Sequence, residues 1–149
     1  MLSIESNPII MAHEITTADA MDDTAAWCDL KYAAGVYIIV EHYRGDDLDL
    51  VLHVHTGTTA TGTTAIAVNF PIWVATDALN DPTLVRQDDS TGYTIDTGVY
   101  TGSQIVVFYI PAALASRYVQ IGSSGGHASS YVSALYQYDR LRYAGDAAL

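Results

Sequence analysis

Between residues 48 and 55 the chain reads LDLVLHVH, and its strict alternation leaves little freedom in the choice of local structure. Side chains on a β-strand point to opposite faces in turn, so Leu48, Leu50, Leu52 and Val54 share one face while Asp49, Val51, His53 and His55 share the other. The pattern predicts a half-buried strand with its histidines outside. The same two-residue period recurs along the chain. GVYIIVEHY (35–43) is β-branched and aromatic throughout, and TTAIAVNFPIWV (63–74) aligns Ile66, Val68 and Phe70 before Pro71 interrupts the ladder. TGYTIDTG, SQIVVFYI (103–110), YVQIGSS and YVSALYQY supply the later strands. Only PAALASRY suits a helix, one or two turns long with Pro111 at its first position. Gly, Asp, Asn and Ser clusters separate the strands, and TGTTATGTT (56–64) reads as a hairpin loop. The expectation is all-β, an antiparallel sandwich or barrel with at most one short helix.

A chain of 149 residues is the size of one domain and buries roughly 70% of the surface its unfolded form exposes. The division predicted is an extended N-terminal arm, residues 1–18, followed by a single domain over 19–149. Cys28 is the only cysteine, so no internal disulfide is available. The N-terminus has no basic region ahead of a signal-type apolar core, and no window approaches the roughly 20 apolar residues of a membrane span. A soluble protein made in the cytoplasm is expected.

Each candidate for chemistry meets a simpler reading. His53 and His55 have the spacing of a metal pair, and His42 on the preceding strand would complete a triad if the two strands paired. No third ligand is marked by any motif, so solvent-facing strand residues are expected. Asp88, Asp89 and Asp96 could surround a surface ion, but turn-forming aspartates account for them as well as for Asp22-Asp23 and Asp46-Asp47. AAWCDLKYAAG gives Cys28 no activating context, and SSGGH (123–127) lacks the turn of a nucleophilic serine. No catalytic residue, metal or cofactor is assigned, and the chain is expected not to be an enzyme.

Seventeen acids against six bases give a formal charge of −11, which repels phosphate backbones and argues against nucleic-acid binding. The bases include Arg117, Arg140 and Arg142 toward the C-terminus, where YQYDRLRY interleaves arginine with tyrosine. Eleven tyrosines against two phenylalanines suit a protein interface, since tyrosine joins a wide apolar face to a polar tip.

The order of GVYIIVEHY, TGTTATGTTAIAV, SQIVVFYIPAALASRYVQI and SALYQYDRLRY, from about Asp19 to Tyr143, resembles a family of small β-proteins encoded beside the major capsid gene of tailed phages and proviruses. Two departures are Gln120, where the family carries a basic residue, and a longer arm before Asp19. The resemblance implies a jelly-roll-like β-sandwich and a virion structural protein, a head decoration or cement protein on the capsid surface. Its partners would be the major capsid protein and further copies of itself, a trimer being one form. A neck or tail component of the same virion is the alternative, and a carbohydrate-binding β-sandwich using Trp27 and Trp73 is another. For the interface, Ile4, Ile9, Ile10 and Met11 of the arm are expected to contact a neighbouring copy or the shell. At the other end Tyr136, Tyr138 and Tyr143 would give apolar contacts, with Arg140 and Arg142 as ion-pair anchors.

The charge carries a direct consequence. Repulsion among the acids opposes folding most at low ionic strength, where the Debye length is about 30 Å at 0.01 M. The melting temperature should therefore rise as salt is increased to physiological levels, and a thermal scan across that range that stays flat or falls contradicts it.

Overall fold

The computed structural model describes residues 9–17, 25–43, 45, 48–61, 64–96, 102–126 and 128–141. Among these residues the secondary structure is entirely β. The strands are β1 (Ile9–Thr17), β2 (Cys28–Asp29), β3 (Ala33–Tyr43), β4 (Leu50–Gly57), β5 (Thr64–Ala65), β6 (Ile72–Ala75), β7 (Val85–Arg86), β8 (Gly92–Ile95), β9 (Ser103–Pro111), β10 (Tyr118–Gly125) and β11 (Tyr131–Leu141).

Six of them form one sheet in the order β1-β11-β3-β9-β6-β7, and a second sheet runs β2-β10-β4-β5 with β8 also paired to β4. Every pairing is antiparallel. The chain crosses from the first sheet to the second between β3 and β4, and returns between β10 and β11. Because β3 pairs with β11 and β4 with β10, the two crossings lie alongside one another as a double ribbon wrapped over both sheets. This gives an antiparallel, jelly-roll-like β-sandwich.

The alternation read from the sequence decides which residues meet between the sheets. Val36, Ile38 and Val40 of β3 stand beside Ala134 and Tyr136 of β11 and Val106, Phe108 and Ile110 of β9, all without solvent exposure. Opposite them lie Leu50, Leu52 and Val54 of β4 with Val119 and Ile121 of β10. Phe70 meets Phe108 edge to face at 5.5 Å between ring centroids. Burying each such aliphatic side chain is worth about 1.5–3 kcal/mol, so this layer is the main source of stability.

Three expectations need correction. The stretch 63–74 is not one strand: β5 ends at Ala65, Val68 is 51% exposed, and a new strand, β6, begins at Ile72. Pro71 has no N–H to give a ladder, and its carbonyl accepts from the Tyr109 N–H at 3.0 Å instead. The predicted helix at PAALASRY is absent. Pro111 closes β9, and a Leu114 N–H to Pro111 carbonyl bond of 2.9 Å makes a turn that leads into β10. Part of the N-terminal arm is also sheet, because Ile9–Thr17 is the edge strand β1 on β11. Deleting residues 1–14 would cut into the domain rather than detach an appendage.

Tyr136 was expected at an interface and is instead the largest fully buried side chain among the described residues. From the inner face of β11 its hydroxyl accepts the Ile121 N–H of β10 at 2.9 Å, a bond from one sheet to the backbone of the other. Burial pushes the phenol well above its ordinary pKa, so it stays neutral. Tyr136→Phe leaves that N–H buried without its acceptor and is expected to lower the unfolding free energy by about 1–3 kcal/mol, read by urea denaturation. An unchanged midpoint would show that the bond contributes nothing.

Candidate docking face

The outer face of the six-stranded sheet is the surface on which functional side chains gather. Register places Met11, Leu135, Ile39, Val107, Trp73 and Arg86 in one row across all six strands. The next row is Ile9, Gln137, Tyr37 and Tyr109. Arg86, at the far edge, is the only charged residue in either row. Between the rows lies an open groove of about 530 Å³ lined by Tyr37, Ile39, Trp73, Leu84, Val107 and Gln137. Val107 is its covered floor and Leu84, 44% exposed, stands at its wall, while Ile9 at 54% and Met11 at 54% are exposed on the same face of the sheet along the edge strand β1.

The rim is held in place by polar contacts. Tyr37 and Tyr109 pack at 4.8 Å between centroids, and the Tyr109 hydroxyl donates to Asp139 Oδ2 at 2.8 Å. Partial burial, with the Asp139 carboxylate as acceptor, pushes the Tyr109 phenol up to about 12. Arg86 lies 5.0 Å above the Trp73 ring and is paired with Asp89, which fixes the indole at the groove wall. Glu41 is exposed in the row beyond, between Ser133 and Ile105. An apolar centre with charge confined to the edges is the anatomy of a protein-binding patch.

The predicted interface residues divide. Ile9 and Met11 belong to this face. Ile10, 40% exposed, sits opposite Tyr136 on the inward side of the edge strand. Tyr136 is core. Tyr138 faces inward and packs half-buried against the core, its hydroxyl donating to Cys28 Sγ. Arg140, with a side chain 80% exposed and φ of 45°, approaches its neighbour Asp139 at 3.7 Å. Ile4, Arg142 and Tyr143 lie outside the described residues.

The candidate chemical sites do not assemble. His53 and His55 share the outward face of β4 with rings 4.7 Å apart, as the alternation requires. His55 is only 8% exposed, however, so it is not the solvent-facing residue expected. His42 cannot join them, because β3 and β4 belong to different sheets and His42 faces the interior. Asp89 is taken by Arg86, and among the described residues no three His, Cys, Asp or Glu side chains cluster as a metal site. Asp22, Asp23, Asp46 and Asp47 lie outside those residues. Burial pushes the Cys28 thiol up to about 11, the reverse of an activated nucleophile. In SSGGH, Ser123 is buried on the inner face of β10, and His127 lies outside the described residues.

Two of the polar residues noted in the sequence hold β2 and the chain before it against β10. Arg117 grips the Asp29 carboxylate with Nε at 3.0 Å and its terminal nitrogen at 2.7 Å, and so holds that carboxyl below its usual range. Gln120, which stands where a basic residue was expected, is buried and donates to the Ala25 carbonyl at 2.6 Å. A charged side chain there would lose far more solvation than the neutral amide, whose burial the hydrogen bond to Ala25 offsets.

Tyr37, Ile39, Leu84, Val107 and Gln137 were not singled out from the sequence, and Trp73 was named only for the carbohydrate-binding alternative. The usable signal lay in GVYIIVEHY, whose two faces are both apolar: Val36, Ile38 and Val40 serve the core, while Tyr37 and Ile39 serve a second contact. No family model and no curated protein matches this chain. Protein purified without chelator should carry no stoichiometric transition metal by elemental analysis. Metal that disappears on His53→Ala with His55→Ala would reverse the assignment of that pair.

Proposed function

We propose that this chain is a structural protein of a virus particle, of the capsid decoration kind, binding the shell of major capsid protein through the outer face of its six-stranded sheet. The observation that carries the reading is the row from Met11 to Trp73, apolar across five strands and bordered by charge only at its edges. Burial of such a face needs a partner of matching shape. The antiparallel sandwich agrees with the fold implied by the resemblance to capsid-associated β-proteins. A role in the neck or tail of the same virion uses the same face and differs in copy number.

One observation favours a second reading. Tyr37 and Trp73 with the Gln137 amide are the stacking and hydrogen-bonding groups that a sugar requires, although Arg86 already covers one face of the indole. Mass spectrometry of purified particles should find the protein in many copies relative to the major capsid protein. A few copies per particle would indicate neck or tail. Leu84→Asp and Met11→Lys alter exposed positions, so both variants should melt within a few degrees of the parent yet bind particles at least tenfold more weakly. Particles without the protein, variants that bind as well as the parent, or saturable glycan binding lost in Trp73→Ala would overturn the proposal.

A further inference from the structure

At the end of the sandwich where β3 passes to β4, the interior is unusually polar. His42 has no solvent exposure, and neither of its ring nitrogens has a hydrogen-bond partner. In register with it stand Gln104 of β9, 2% exposed, and Val132 of β11. The facing sheet ends here with Leu50 and Leu52 of β4 and with Ser123 of β10, whose hydroxyl is also buried and unpartnered. The charged groups on these elements point elsewhere: Glu41 and Tyr43 flank His42 on the outer face, Tyr131 is exposed, and Asp49 and Asp96 are exposed beyond the strand ends. A cation formed at His42 would therefore have no compensating carboxylate among the described residues. Burial alone pushes its pKa below the ordinary 6.5.

The same end is closed by tight backbone contacts. The Gly45 N–H donates to Ser130 Oγ at 3.0 Å, and a Cβ on Gly45 would lie 1.7 Å from the Ser129 carbonyl oxygen. Gly126 donates to the Asp49 carbonyl at 2.8 Å, and a Cβ on Gly125, whose φ is 76°, would lie 2.7 Å from that same oxygen. These closures bind the exit of β3 to the entry of β11, and the entry of β4 to the exit of β10.

We propose that His42 makes this end of the sandwich an acid-sensitive clasp: a neutral imidazole keeps it shut, and protonation opens the closures at Gly45 and at Gly125–Gly126 while the opposite end stays folded. A buried cation without partners is relieved most cheaply by admitting water, and the closure at Gly45 stands only three residues beyond His42 on the same strand exit. The sign follows from the direction of the shift. Above pH 6.5 the imidazole is neutral in closed and open forms alike, and the clasp has its full stability. Below pH 6.5 the open form binds a proton that the closed form refuses, so closure weakens by up to tenfold per pH unit until the lowered pKa of the closed form is reached.

Hydrogen exchange read by mass spectrometry between pH 7.5 and 5, corrected for intrinsic rates, tests the proposal on the intact chain. Protection at residues 40–45, 49–52 and 123–132 should fall on acidification, with that around Gly35, Ile110 and Tyr138 retained. In His42→Leu the local pH dependence should vanish, whereas His13→Gln should leave it unchanged. A His42→Leu protein with the parent's pH dependence, a uniform loss of protection, or no loss at all overturns the proposal. Should His42→Leu fail to fold, the imidazole resonances of the parent decide: a His42 titrating at an ordinary pKa refutes the clasp, and one that stays neutral until the local opening supports it.

Discussion

The bond from the Ile121 N–H to the Tyr136 hydroxyl joins the two sheets where neither sheet can satisfy that donor itself. β2 reaches only Val119 and Tyr118 on its side of β10, and the Ala26 N–H beyond it turns away to the Ala12 carbonyl of β1. A phenol placed between the layers meets the need, because it fills the space of a large apolar side chain and still accepts a hydrogen bond at its tip. The surrounding aliphatic layer depends on this arrangement. Without an acceptor the β10 backbone would have to admit water to the centre of the core.

The edges of the six-stranded sheet are blunted, and its face is left open. β1 carries register shifts between Met11 and His13 and between His13 and Thr16, and bulges of this kind interrupt the regular row of groups that another strand would need. At the opposite edge β7 is two residues long. Association through added strands is discouraged at both edges, while Ile39, Leu135 and Val107 present an apolar area on the face. A net charge of −11 adds to the selection, since two copies of so acidic a chain repel unless an uncharged surface lies between them.

Alternation named Leu50, Leu52 and Val54 of β4 as inward residues, and they are, because register and burial share the two-residue period. It could not tell which apolar face of a doubly apolar strand is covered by the molecule itself. Tyr136 shows the difficulty: its neighbours in YQYDRLRY look like surface residues, and only the pairing of Tyr136 with Ile38 puts it in the core. The groove was illegible for the same reason. Tyr37 and Gln137 pair directly, but Trp73 reaches them through β9, which itself joins β3 across a sequence separation of about seventy residues.

The sequence by itself determined the all-β character, the strand faces, the hairpin at TGTTATGTT and the strong negative charge, because these follow from local periodicity, turn chemistry and a sum of side chains. The tertiary structure alone decided that His42 and His53 lie in different layers, that Ile9–Thr17 is an edge strand rather than a free arm, and that Trp73 and Tyr37 line one groove. Each of those outcomes depends on which distant strand pairs with which. Backbone hydrogen bonds are alike for every residue except proline, so the choice of partner is made by the fit of whole faces between sheets. That fit is a property of the assembled sandwich, and no short stretch of the chain contains it.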